Sequence, residues 1–177
     1  MLMPFELTLV KSTAERVLSH PTWDLILVFA LLAGGFFYGI SAGKRRIAAT
    51  IIYTYVAFAL YSALPLGRML YNFKELDEFL IKSGFFLGIF LLLAFFLGTR
   101  RSKGFAPASS WWQIFLFSFL QVGLLIHLFL GLLPPGKISM LAPLTKNVFA
   151  NPDFHLWWMA LPIGVLIILR RFEAREN

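Results

Sequence analysis

Five long apolar stretches, at roughly 22–42, 47–64, 79–98, 111–133 and 155–169, are separated by short gaps whose charge alternates. A helix of about 20 apolar residues rises ~30 Å, the thickness of a bilayer's hydrocarbon core. A bilayer supplies an apolar solvent in which such side chains need no protein core. The composition agrees: 59% of residues are hydrophobic and 14% charged, where a soluble domain carries about 25% charged. Twenty Phe in 177 residues also exceed what one small soluble core would bury. We therefore expect an all-α fold, a polytopic integral membrane bundle of about five transmembrane helices plus short interfacial helices. Residues 22–171 form its single transmembrane domain.

The flanks refine this layout. In residues 1–21, Val10, Ala14, Val17 and Leu18 stand at helical spacing opposite Lys11, Ser12, Glu15 and Arg16. That arrangement suits a helix lying in the interface and ending at Pro21. A signal peptide is not expected, because the charges Glu6, Lys11, Glu15 and Arg16 cancel and the apolar run that follows is too long. Trp23, Trp111 and Trp112, and the Trp157–Trp158 pair read as interfacial anchors. The turn at residues 43–46 is short enough to return the second span antiparallel to the first. Pro134, Pro135 and Gly136 end the fourth span, and a short surface helix is expected near Pro143. The fifth stretch has only about fifteen apolar residues, a length closer to a re-entrant segment than to a crossing.

Charge decides between those two. With five crossings, one face receives nine bases against two acids, and the other receives seven of each. The nine (Lys44, Arg45, Arg46, Arg100, Arg101, Lys103, Arg170, Arg171 and Arg175) sit close to the span ends, as bases on the cytoplasmic side do. Five spans are expected, with the N-terminus outside and residues 172–177 as a cytoplasmic tail. The net charge of +7 is thereby assigned to one membrane face and gives no reason to expect a nucleic-acid partner.

Gly35, Gly39 and Gly43 recur every four residues on the first span, with Gly84 and Gly88 on the third. Small residues let helix backbones approach closely, and packing of that kind drives association in lipid. These rows read first as packing inside the bundle, and second as an interface with another copy. The fourth span carries Gln113, Ser118, Gln121 and His127. A polar group at membrane depth is a functional candidate, since leaving it unpaired in lipid is costly. Ser118, Gln121 and His127 are thus the candidate intramembrane polar site, serving as hydrogen-bonded glue between helices or as a transport or proton path. Thr50 and Thr54 can bond their own backbone. Asp24 either favours the positive end of its helix or pairs with a base such as Lys82.

No catalytic residue, cofactor or metal is expected. No His-Glu-x-x-His, phosphate loop or Gly-x-Ser-x-Gly occurs, and the absence of cysteine excludes disulfides and thiolate sites. His20, His127 and His155 lie far apart in sequence and are expected at different depths, which gives no support to a metal site.

The stretch Trp23-Asp24-Leu25-Ile26, then Gly35, Gly39 and a basic turn into a second span, resembles the start of the colicin V production protein family. The resemblance covers residues 22–65. It departs at Tyr38, where the family often has Arg, and in the fifth span, since the family usually has four. It implies a small bacterial inner-membrane protein linked with secretion and the envelope, and it carries over no catalytic residue. The chain is expected to work as a structural or assembly component in the bilayer, beside other membrane proteins or its own copies. A small channel or transporter with a polar path near the fourth span is the second expectation.

Overall fold

The computed structural model describes residues 22–70, 73–98 and 111–176. All regular structure among them is helical. Helix α1 (Trp23–Ala42) reverses at one residue, Gly43, into α2 (Lys44–Ala63). Gly43 has φ +79°, a conformation that side chains with a Cβ avoid, and its N–H donates to the Gly39 carbonyl at 2.9 Å. The reversal therefore needs one residue where residues 43–46 were expected to form it. Lys44, Arg45 and Arg46 become the first turn of α2.

A short α3 (Leu66–Met69) follows Pro65, and α4 (Glu75–Leu97) then crosses back. Helix α4 starts four residues ahead of the expected position. Glu75, Asp77 and Glu78 fill its first turn, where the helix dipole favours acids, and Lys82 pairs with Glu78 one turn along. Helix α5 (Trp111–Gly131) is followed by α6 (Pro135–Ile138) and α7 (Pro143–Phe149), each with Pro in its first turn. A 3-10 turn, Pro152–Phe154, leads directly into α8 (His155–Glu176).

Helix α8 has 22 residues with the buried Pro162 inside; its apolar part, 155–169, rises ~22 Å before the charged end begins. The helix runs on through the basic end, so the expected tail is helical as far as Glu176. Helices α1, α2, α4 and α5, with the stretch ending in α8, are long and apolar enough to cross a membrane. The chain is a multi-pass membrane helix bundle. The expected interfacial segment 1–21, His20 and the basic stretch 99–110 lie outside the described residues.

Helix α5 is the hub. Half of its apolar window is buried inside the protein, against 6% for α4. It packs against α1, α2, α7 and α8. Toward α2 and α8 the core is Ile47, Ile51, Phe117 and Leu169. Toward α4 it is Ala57, Phe86, Leu124 and Leu128, and Phe86 sets its ring edge-on to Tyr61 and Phe129. The remaining surface is apolar, with Trp23 and Phe95 more than 80% exposed, as a lipid-facing surface must be.

Candidate functional site

The polar side chains of α5 occupy three levels along the helix. At the end near α2's basic turn, the Lys44 ammonium donates to Gln113 Oε1 at 2.8 Å. Midway, Gln121 Nε2 donates to Thr54 Oγ1 at 2.8 Å, and that hydroxyl in turn donates to the Thr50 carbonyl at 2.9 Å. Thr54 does bond its own backbone, and it also holds α5 to α2. Ser118 Oγ and Gln121 Oε1 are buried without a hydrogen-bond partner. Such a buried group forfeits about 1–3 kcal/mol.

The third level holds His127, whose Nδ1–H donates to the Phe149 carbonyl at 2.7 Å. In the neutral ring that bond leaves Nε2 as an acceptor, and His155 Nδ1 lies 2.9 Å from it. The two histidines expected at different depths are therefore hydrogen-bonded. Helix α5 ends at Gly131, short of the expected 133, and a compact connection brings the start of α8 beside its last turn. Trp158, on the next turn of α8, stacks on Phe149 at 5.1 Å and donates from Nε1 to the Val148 carbonyl at 2.7 Å.

These contacts fasten the short helix α7 at both ends. Val148 and Phe149 are at its C-terminal turn, whose carbonyls have no helical acceptor role left and need outside donors. At its N-terminal cap, the Ala142 N–H donates to the Asp24 carboxylate at 2.8 Å. Asp24 stands in the first turn of α1, where the helix dipole favours an acid, and is also engaged by the α7 cap, while Lys82, the alternative partner, pairs with Glu78. Trp158 is 8% exposed and belongs to the core, whereas its neighbour Trp157 is 59% exposed and keeps the position of an anchor.

The glycines divide by their surroundings. A Cβ at Gly35 would meet Val122, and one at Gly39 would meet Ser118 and Ile47, so both lie where α1 closes on its neighbours. Around Gly43, Gly84 and Gly88 a Cβ would meet nothing within 4 Å. Gly43 makes the turn instead of a packing contact, and Gly84 and Gly88 pack against nothing among the described residues. Gly123 has the packing role that the sequence pattern did not assign, because a Cβ there would collide with the Trp158 ring.

Two of the cavities beside the hub hold the candidate residues. A groove of about 730 Å³ between α1, α4 and α5 is lined by Ser118 and Gln121 and reaches Asp24 and Thr145 at one end. A second cavity of about 330 Å³, lined by His127, His155, Phe149 and Gly131, lies at the α7 end. Ser118 and Gln121 are on one cavity and His127 on the other. Among the described residues no group of three or more His, Asp or Glu could hold a metal ion. No family model matches this chain, and neither a curated protein nor a solved structure matches it.

Proposed function

We propose that the protein is a non-catalytic structural component of a larger membrane assembly, in a bacterial inner membrane with its N-terminus outside. One observation carries this reading. Among the described residues the face of α4 around Gly84 and Gly88 finds no neighbour, although glycine in a helix costs about 1 kcal/mol against alanine. Inside the bundle that cost brings no close packing. Against a helix of another chain it permits the backbones to approach. The short connections of the described chain also leave little material for a soluble catalytic unit.

A transport role gains less support. The wall joining Ser118 to Gln121 is largely apolar, and the hydrogen-bond chain from His155 through His127 ends on a backbone carbonyl, which passes no proton onward. Mild-detergent extraction of the tagged chain tests the assembly reading. The expected result is a fixed stoichiometry with another membrane protein or with itself, and a chain that elutes alone at monomer mass overturns it.

A further inference from the structure

The protons of the two histidines at the α7 end can be counted. A carbonyl oxygen only accepts, so the bond to Phe149 fixes a proton on His127 Nδ1 and leaves Nε2 bare in the neutral ring. Its partner, His155 Nδ1, must then carry the proton that lies between the rings. The ring centroids are 5.1 Å apart, close to the 2.9 Å bond plus both ring radii, so the donor aims nearly head-on at its acceptor.

Two protons therefore satisfy the neutral pair, one for each bond. A third goes to His155 Nε2, because His155 lies at the surface and His127 is buried. It leaves both bonds in place, and the bond between the rings becomes charge-assisted. A fourth must land on His127 Nε2, the acceptor itself. Two imidazolium ions then face each other with an N–H on each side of the gap, and the bond is lost.

Little nearby offsets that second charge. The cavity holding the pair is walled by Phe58 of α2, Ile138 of α6 and Phe149 of α7, and Trp158 of α8 stacks on His127 at 6.3 Å. Among the described residues no Asp, Glu, Lys or Arg lines it. Glu75, Glu78 and Lys82 of α4 line a separate pocket across Gly131 and Ile138, and Glu78 is paired with Lys82. Asp153 on the 3-10 turn and Lys146 on α7 are exposed and line neither space. The Tyr55 hydroxyl of α2 donates to the Met159 carbonyl, one turn along α8.

We propose that the pair is a proton-operated latch, which fastens the start of α8 to α5 until its second added proton arrives and then releases it. Helix α7 stays in place on release, because charged His127 still donates to Phe149 and Trp158 still donates to Val148. The part set free is the 3-10 turn with His155 behind it. The latch goes beyond the assembly role and does not depend on it.

The chain has three histidines, so nitrogen NMR of the full chain with labelled histidine, in mild detergent, follows each ring once His20→Ala and His155→Ala assign them. At about pH 8 His127 should be the Nδ1–H form. Down to about pH 4 the pair should charge in two steps, His155 first and His127 at a proton concentration at least tenfold higher. Hydrogen exchange over residues 150–156, corrected for its intrinsic pH dependence, should rise at least fivefold at the second step and stay level at the first. In His155→Ala, which lacks the bond, exchange there should be fast throughout and show no step. An Nε2–H form of His127 at about pH 8 would overturn the proposal, as would titration of the two rings as independent sites. A His127 ring still neutral at about pH 4, or one that charges without a rise in exchange, would overturn it too. A His155→Ala chain whose exchange follows that of the unaltered chain would have the same effect.

Discussion

His127 Nε2 and His155 Nδ1 stand 2.9 Å apart, joining the last turn of α5 to the first residue of α8. The other nitrogen of His127 holds the end of α7, so one imidazole ties three helices together. His127 is 5% exposed and His155 lies at the surface. Losing the two rings should therefore cost different amounts. His127→Ala leaves the Phe149 carbonyl without its donor and should lower stability by about 1–3 kcal/mol. His155→Ala should cost less than half of that. Thermal unfolding in detergent reads both, and equal losses would mean that the bond to Phe149 contributes nothing.

The fit of Trp158 against α5 depends on Gly123. Gly123→Ala must displace a packed indole and should destabilise by about 1–3 kcal/mol, the usual range for overfilling a packed site. Gly164→Ala, in open space on the same helix as Trp158, should be neutral or should stabilise by up to about 1 kcal/mol through helix propensity. A melting point for Gly123→Ala equal to that of Gly164→Ala would remove Gly123 from the core.

Asp24 acts on α7 across 118 positions of sequence. Asp24→Ala removes the acceptor for the Ala142 amide, while Asp24→Asn can retain it. Hydrogen exchange over residues 142–149 should accelerate severalfold in the alanine variant and stay near the original rate in the asparagine variant. Equal acceleration in both would show that the negative charge, and not the hydrogen bond, fixes α7.

The number of apolar spans was legible because it rests on length and composition, which act locally. Apolar runs near 20 residues and bases at span ends need no tertiary information. The fifth segment was the short one, and it reaches the length of a span only together with the stretch from Pro143 that leads into α8. What the pattern could not supply was which faces meet. Gly35 and Gly84 look alike in sequence, yet one lies under Val122 and the other meets nothing among the described residues. His127 and His155 are 28 residues apart, and only the compact 134–154 connection brings them together. Trp158 reads as an anchor beside Trp157 until its indole is found on Val148. The first-turn position of Asp24 was legible in the same local way, whereas its bond to the Ala142 amide, 118 residues on, was not.

The absence of cysteine makes single-cysteine labelling clean. With the proposed orientation, Gly136→Cys, between α5 and α7, should react with a membrane-impermeant maleimide in intact cells. Arg45→Cys, exposed at the opposite end of the bundle, should react only after permeabilisation. The reverse pattern would invert the chain.

Cross-linking from Gly88→Cys in native membranes tests the assembly reading most directly, with Phe29→Cys on an exposed part of α1 as the comparison. The account predicts that a short bifunctional maleimide or photoactivatable maleimide at Gly88 yields a discrete protein adduct of constant mass, while Phe29 yields none. If Gly88 gives no adduct beyond what Phe29 gives, its open face is covered by lipid alone and the account is contradicted.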